Sequence, residues 1–212
     1  MVYYLGYQTV GEYKVNIRNL DGDPQKIEAV DTTPDDGLSI IRHPTTSGRP
    51  IKTEFVPTKI QWQDKQPVPD VDQPFGMLSV PDRFKEIVEQ IEPGVHQFLP
   101  VEFVDVAGNH LAHRWFFIVC NRLDSVDREH TTMVLANGKL WMPERNLPAE
   151  ERSVTFDPNL EPKLVFNDSQ IGTMQAWHDK FDLYGPFVSD ALGQALLETN
   201  LSGISLSKAE SV

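Results

Sequence analysis

The chain has 212 residues, of which 40% are hydrophobic and 24% are charged, and this composition excludes a fibrous architecture and wholesale disorder. Its formal net charge of −12 argues against a nucleic-acid-binding protein, because contacts to phosphates require clustered Lys and Arg side chains. Residues 1–77 contain 8 basic and 11 acidic side chains, whereas residues 78–212 contain 11 and 20, so the negative field arises mainly from the C-terminal two thirds.

The start of the chain contains no basic stretch followed by an apolar run of export length, and no later segment approaches the roughly eighteen apolar residues of a membrane helix. We therefore expect a cytoplasmic protein that makes no membrane contact. Cys120 is the only cysteine, so no internal disulfide can form. Its position at the end of the apolar run 115–119 predicts a buried, unreactive thiol.

Strand-forming aromatic and β-branched residues dominate positions 1–20 and predict a twisted hairpin. Residues 20–58 alternate polar turn-forming residues with short apolar clusters such as residues 38–41, and the Asp-Gly-Asp-Pro sequence at 21–24 predicts a turn. Residues 67–74 contain three prolines, which lack the amide donor of a central strand. This segment is expected to be an extended connector.

An amphipathic helix is predicted from Asp82 to Ile91, because its apolar residues recur at the spacing of one helix face. These apolar residues are Phe84, Ile87, Val88 and Ile91. Ser79 and Asp82 have the spacing of a capping box at the start of the helix, and the Pro-Gly pair at 93–94 is expected to end it.

Two hairpins are predicted after this helix. The first pairs residues 100–106 with residues 114–120 as antiparallel strands, and the second strand is apolar enough to lie at the centre of a sheet. The second hairpin joins residues 133–136 to residues 139–142 through Asn137-Gly138, which tolerates the positive φ angles of a type I′ turn.

A further helix is predicted to begin at Ser189-Asp190, to bury Leu192, Ala195 and Leu196, and to end at Gly203. Its order of residues matches that of the first helix. In both, a Val-Pro-Asp or Val-Ser-Asp sequence precedes the apolar stripe, and a glycine followed by an aliphatic residue comes after it. The match indicates either an internal duplication or a coincidence between two short helical motifs.

The predicted fold is α+β, with a mostly antiparallel sheet, a few short helices and two related strand-helix-strand units. We expect residues 1–77 to form a variable, β-rich N-terminal region and residues 78–212 to form an α+β domain, the two being parts of one compact unit.

No metal site or cofactor site is predicted. His110 and His113 lie three residues apart in a predicted strand, so their side chains point to opposite faces and cannot chelate one ion. The local signatures of common cofactor and hydrolase chemistry do not occur in the sequence. We expect no enzymatic activity, and the alternative is an enzyme whose site assembles from distant residues such as His113, His178 and Asp179.

Two groups of carboxylates are candidate partner-binding residues. Glu86 and Glu89 share the polar face of the first helix, where they form either a solvated face or a ridge for basic residues of a partner. Asp124, Asp127 and Glu129 follow the apolar strand, where a sheet can hold loop carboxylates rigidly.

The tryptophans are the candidate anchors of a binding surface. Trp115 is predicted to be core because its neighbours are apolar, whereas Trp62 and Trp177 are the candidates for an interface. Trp177 lies in the polar segment 169–184 and is the aromatic that we assign to the partner-binding set.

The C-terminal part of the chain resembles a known family. The segment 116–127, an apolar strand that runs into Asp124 and Asp127, is followed by Val188-Ser189-Asp190, a Leu-containing helix and Gly203-Ile204. This order resembles bacterial polymorphic-toxin immunity proteins over residues 78–206. Segment 169–184 is longer than the family pattern.

The resemblance implies a cognate antitoxin of an effector delivered by contact-dependent or type VI secretion, with no catalytic residues. It also implies that Ser189, Asp190 and Gly203 are structural and that Asp127 braces the fold. Because the effectors in such pairs are often nucleases with basic clefts, an acidic protein is a suitable inhibitor. The alternative is an acidic scaffold or adaptor protein that binds another basic protein, and either can be a monomer or a homodimer.

Overall fold

A computed structural model of the chain describes residues 1–8, 16–33, 43–182 and 184–212. The α-helices in these residues are α1 (Asp82–Ile91), α2 (Asp168–Ile171) and α3 (Asp190–Leu197). The strands in the same residues are β1 (Val2–Tyr7), β2 (Ile17–Asn19), β3 (Lys59–Trp62), β4 (Leu78–Val80), β5 (Gln97–Val104), β6 (His110–Ile118), β7 (Arg122–Leu123), β8 (Val134–Ala136), β9 (Leu140–Met142), β10 (Val165–Phe166), β11 (Ala176–Asp179), β12 (Phe187–Ser189) and β13 (Ile204–Ser211).

The strands form two larger sheets and one hairpin. The six-stranded sheet has the order β10-β13-β1-β12-β11-β7, and the five-stranded sheet has the order β2-β3-β5-β6-β4. Most neighbours are antiparallel, and the parallel pairs are β10 with β13, β11 with β7 and β3 with β5. The predicted α+β class with a mostly antiparallel arrangement and a few short helices is confirmed.

Two strand-helix-strand units share one topology. In the first, α1 connects β4 to β5, and β6 lies between these strands and is antiparallel to both. In the second, α3 connects β12 to β13, and β1 lies between them in the same way. The helices of the two units pack against each other. The predicted pair of related units is therefore present. The two units differ in chain order, since the middle strand β6 follows the first unit whereas the middle strand β1 precedes the second.

In the described residues the core consists of three clusters that lie on alternate faces of the sheets. The central cluster joins α1 and α3 to both sheets through residues such as Tyr3, Phe84 and Leu192. A second cluster covers the opposite face of the five-stranded sheet, and the third covers the opposite face of the six-stranded sheet. Because strand side chains alternate between faces, Phe117 belongs to the central cluster while Phe116 belongs to the second.

In each of the two larger sheets, strands that precede residue 77 in the chain pair with strands that follow it. β1 lies between β12 and β13, and β3 pairs with β5. Val71 is fully buried in the central cluster. The N-terminal and C-terminal regions are thus interleaved in space, and the division at residue 77 stays a prediction about sequence variability.

Several local predictions are confirmed. α1 has the predicted bounds, and β5 and β6 form the predicted antiparallel pair. β8 and β9 are joined by Asn137, Gly138 and Lys139, one residue more than the predicted loop, and Asn137 and Gly138 have the positive φ angles of 51° and 67° that a type I′ turn requires. Residues 67–74 form no regular strand, as their prolines predict.

The predicted hairpin within residues 1–20 is wrong. Both edges of β1 are occupied by β12 and β13, so β1 has no free edge for β2. β2 pairs instead with β3 in the other sheet. The turn of that predicted hairpin, and the apolar cluster at 38–41, lie outside the described residues.

The predicted capping box of α1 and the predicted end of α3 are also wrong. Pro81 is the N-cap of α1, and no side chain among the described residues caps this helix. Ser79, the predicted cap, is instead buried within β4. α3 ends at Leu197 with Glu198 as its C-cap, six residues before Gly203. Gly203 has a φ of 78°, and a Cβ at this position would lie 2.2 Å from the Val71 carbonyl oxygen, so this glycine permits close chain approach instead of ending the helix.

Ser189 is the N-cap of α3, as predicted, and its hydroxyl accepts a hydrogen bond of 3.1 Å from the Leu192 amide. The Ser189→Ala substitution is expected to lower the free energy of unfolding by about 1 kcal/mol, because it leaves a helix-terminal amide without an acceptor. Urea denaturation measures this change. Ser207→Ala is the matched control, since Ser207 is exposed, and an equal loss in both variants would contradict the capping role.

Candidate partner-binding surface

Residues 124–129, which we call the acidic loop, run from the end of β7 towards β10. The loop is anchored at Ser125, whose amide and hydroxyl donate hydrogen bonds of 2.7 and 2.9 Å to the Asp179 carboxylate. Trp177 donates a bond of 3.0 Å from its indole Nε1 to the Ser125 hydroxyl. Val126 is fully buried and bridges to Phe166. The backbone of the acidic loop is therefore fixed by buried contacts.

Asp127 organises the turn within the acidic loop. Its Oδ1 accepts hydrogen bonds from Nδ1 of His130 at 2.8 Å and from the amides of His130 and Glu129 at 3.0 Å, and its Oδ2 accepts one from Asn167. The bonds from the His130 side chain and amide are the main cause that lowers the pKa of this carboxyl to about 2. Its side chain is only 12% exposed. These bonds hold Asp127 within its own turn and tie that turn to Asn167.

The other two carboxylates of the acidic loop differ in their contacts. Asp124 forms an ion pair with Arg128, with 2.8 Å between Oδ2 and Nη2. Glu129 is exposed, and its carboxylate forms no hydrogen bond or ion pair with the residues that the structure describes. Glu129 is therefore the carboxylate of this group that is ready to meet a cation of a partner.

The carboxylates of α1 lie over the other face of the six-stranded sheet. Phe84 and Val88 direct the apolar side of α1 into the central cluster, whereas Val126 of the acidic loop belongs to the third cluster. Glu86 is exposed, but Glu89 accepts a hydrogen bond of 3.1 Å from the Gly94 amide at the helix end. The structure does not bring the two predicted acidic groups together.

The prediction that Trp177 contacts a partner is wrong for this conformation. Trp177 is 0% exposed and packs with Phe166 and Phe187 in the third cluster. Trp62 is 4% exposed and is also core. Trp115 is only partly buried, because it points from β6 towards the outer side of α1, and its indole donates a hydrogen bond of 2.7 Å to Asp82.

The residues proposed for a dispersed catalytic site do not share one environment. His113 stacks its ring edge-on against Trp115, while His178 and Asp179 are buried neighbours on β11 whose side chains alternate between faces. His110 hydrogen-bonds to Glu102 at 3.1 Å. Among the described residues, no group of three His, Cys, Asp or Glu side chains could hold a metal ion.

Burial raises the pKa of the Cys120 thiol to about 11. The thiol is therefore protonated near neutral pH and is a poor nucleophile, as predicted, although Cys120 is only partly buried at the margin of the second cluster.

One polar network was not predicted from the sequence. The Glu92 carboxylate contacts Nε2 of His96 at 2.8 Å and accepts hydrogen bonds from the Ala176 amide and the Asn121 side chain at 3.0 Å. Nδ1 of His96 accepts a bond of 3.1 Å from the Cys120 amide. Burial acts to raise the pKa of Glu92, but the bonds from His96 and the backbone outweigh it and lower the pKa.

This network joins the end of α1 to β11 and to the segment that follows β6. The only local signal for it was the four-residue spacing of Glu92 and His96 across the predicted helix end.

A family of known proteins is similar to this chain over nearly its whole length. No helix in the described ranges is both long and apolar enough to cross a bilayer. The search of curated proteins found no match to the chain. The model of the immunity protein family Imm11 matches residues 5–211, which is nearly the whole chain. The chain therefore belongs to the Imm11 immunity protein family and is an immunity protein against a toxin.

Proposed function

We propose that this protein binds and neutralises a basic, nuclease-type toxin in the cytoplasm of the cell that produces it. The toxin is an effector of a contact-dependent or type VI secretion system, and its inhibition requires binding without catalysis by the immunity protein. The observation that carries the proposal is the net charge of −12 on a member of an immunity family. A protein of this charge is attracted to the basic cleft that a nuclease uses to bind phosphates.

The acidic loop is the best candidate for the docking surface. Its backbone is held by Ser125, Val126 and Asp127, so the loop loses little conformational freedom when it binds. Glu129 presents an exposed carboxylate from this rigid support, and Asp127 holds the Glu129 amide. Asp124 adds a second carboxylate that is paired with Arg128 in the free protein. In this arrangement the carboxylates act on the rate and orientation of association, and buried contacts supply most of the affinity.

The exposed face of α1 is the second candidate surface. Glu86 presents a carboxylate there, and Glu89 lies beside it, although Glu89 also accepts a bond from the helix end. Because this face and the acidic loop lie over opposite faces of the six-stranded sheet, substitutions confined to one surface distinguish the two candidates.

The test uses the purified, catalytically inactivated toxin encoded beside the gene of this chain. The association rate is expected to fall as ionic strength rises, because salt screens long-range attraction. Glu129→Gln combined with Asp124→Asn is expected to lower the association rate by about three- to tenfold at low salt. Glu86→Gln combined with Glu89→Gln is the matched control, with the same change of charge on the opposite face.

Stopped-flow fluorescence at several salt concentrations measures these rates. An equal effect of both pairs would assign the attraction to the general field and not to the acidic loop. If the wild-type protein neither binds this toxin nor protects cells that express its active form, the proposed function is wrong.

A further inference from the structure

One edge of the six-stranded sheet, on β13, is left largely unpaired by the strands of the described residues. β13 pairs with β1 from Ile204 to Ala209 on one side, whereas on its other side β10 pairs only with Glu210 and Ser211. Residues 204–209 therefore form an edge to which no strand of the described residues is added. Such an edge is a template for a further strand.

The hydrogen bonds of β1 show which groups of this edge point outwards. The Leu5 amide donates to the Pro186 carbonyl, on the side of β12, and the Gln8 amide donates to the Gly203 carbonyl, on the side of β13. Backbone groups alternate between the two sides of a strand, so the even-numbered residues of β1 bond to the odd-numbered residues of β13.

The even-numbered residues of β13 consequently direct their N–H and C=O groups away from β1. Glu210 follows this rule, since it is the residue that pairs with β10, and so does Val212, whose amide donates to Phe166. The corresponding groups of Ile204, Leu206 and Lys208 form no hydrogen bond with any residue that the structure describes. Three outward donors and three outward acceptors are thus available in a row.

A groove of about 380 Å³ borders the end of this edge that is next to β10, where Lys208 and Ala209 line it. It lies on the face of the third cluster. Its lining combines apolar residues, among them Leu164, Phe166, Tyr184, Phe187 and Ala209, with the charged residues Lys163, Asp182, Lys208 and Glu210. Tyr184 is 64% exposed at its rim. On the other face of the sheet, Ile204 and Leu206 are only partly buried. The side chains of an added strand would alternate between this groove and these two residues.

We propose that residues 204–208 receive an extended segment of the cognate toxin, which adds to the six-stranded sheet as a further strand. This inference rests on the proposed function, because it describes how the same partner is held. In strand addition, main-chain hydrogen bonds supply affinity, and pockets for alternate side chains supply specificity.

The position of the acidic loop identifies a basic toxin as the occupant. The Asp127 amide donates a hydrogen bond of 2.8 Å to the Val165 carbonyl of β10, so the loop lies next to the strand that ends the open edge. A basic partner drawn to the loop therefore arrives beside residues 204–208. A second copy of the chain carries the same net charge of −12, and its approach would be opposed by repulsion.

The Lys208→Pro substitution tests this proposal. Lys208 is exposed and its amide points away from β1, so proline at this position keeps the pairing of β13 with β1 while it blocks the outer edge. Lys208→Ala is the matched control, because it removes the same side chain and keeps the amide. The Kd for the inactivated toxin is expected to rise about tenfold or more in Lys208→Pro and to change less than about threefold in Lys208→Ala. Isothermal titration calorimetry measures both.

Hydrogen exchange of the wild-type protein gives a second readout that does not depend on any variant. The amides of Leu206 and Lys208 are expected to exchange rapidly in the free protein and slowly in the toxin complex. If the toxin binds both variants equally and leaves these amides unprotected, strand addition is wrong while the proposed function stands. A wild-type protein that does not bind the toxin overturns both. A homodimer that Lys208→Pro dissociates would assign the edge to a second copy and overturn the toxin as its occupant.

Discussion

The Trp177→Ala substitution is expected to lower the free energy of unfolding by about 3–5 kcal/mol, because it leaves a large cavity in the third cluster. Trp177 is 0% exposed and touches Phe166 and Phe187. Its removal also deprives the Ser125 hydroxyl of a donor and loosens the anchor of the acidic loop. Since small domains are stable by about 5–15 kcal/mol, this single change is expected to remove a large fraction of the stability.

Trp177→Phe is the control for this prediction. It retains an aromatic ring in the cluster and removes the indole N–H, so the expected loss is smaller, about 1–3 kcal/mol. Denaturation in urea measures the stability of both variants, and calorimetry measures the toxin affinity of the folded fraction, which is expected to be unchanged in Trp177→Phe. A loss of toxin affinity in Trp177→Ala at wild-type stability would restore Trp177 as an interface residue.

The Glu92→Ala substitution is expected to lower the free energy of unfolding by about 3 kcal/mol, because it leaves several buried donors without an acceptor. These donors belong to His96, Asn121 and Ala176, which lie on three different parts of the fold. Glu89→Ala is the matched control on the same helix, since Glu89 accepts one hydrogen bond at the surface, and its expected cost is below about 1 kcal/mol.

The stabilising effect of Glu92 is also expected to depend on pH. The folded-state pKa of this carboxyl is below its ordinary value of 4.5, so its ionisation favours folding above that value. The stability difference between the wild-type protein and Glu92→Gln is therefore expected to be fully present above about pH 5 and to shrink as the pH falls below 4.5. Urea titrations between pH 3 and 7 measure this, and a difference that is constant across the range would show that Glu92 is not ionised in the network.

These two residues connect stability to function. Trp177 supports the acidic loop from within the third cluster, and Glu92 ties α1 to β11, the strand that also carries Asp179. Substitutions at either position can therefore reduce protection of the cell through loss of folded protein. Measuring stability and toxin affinity separately distinguishes this route from loss of a contact.

Local patterns in the sequence were sufficient for the elements that depend on nearest neighbours along the chain. The apolar stripe of α1, the Asn137-Gly138 turn and the Ser189 cap were all predicted correctly, because each depends on interactions within a few residues. The resemblance carried by residues 116–127 and 188–204 also led to the immunity family, which matches nearly the whole chain. The net charge follows from composition alone.

The pairing of β1 was decided by tertiary structure. Its pattern of tyrosines and valine indicates a strand but not its partners, and β12 and β13 lie more than 180 residues away in the chain. The same holds for Trp177, because a single Trp in a polar segment does not show which residues of other strands will cover it. The open edge of β13 is likewise a property of the sheet order, which ends the pairing of β10 after two residues.

The carboxylates show most clearly which properties the sequence determines and which only the fold decides. Their number and their excess after residue 77 are determined by the sequence alone, and so is the negative field that favours a basic partner. Which of them are free was decided only by the fold. Asp127 accepts hydrogen bonds from its own turn and from the distant Asn167, Glu92 lies within a network of three elements, and Glu129 remains exposed. The physical reason is that charge is additive along a chain, whereas a carboxylate's availability depends on the donors that folding brings to it.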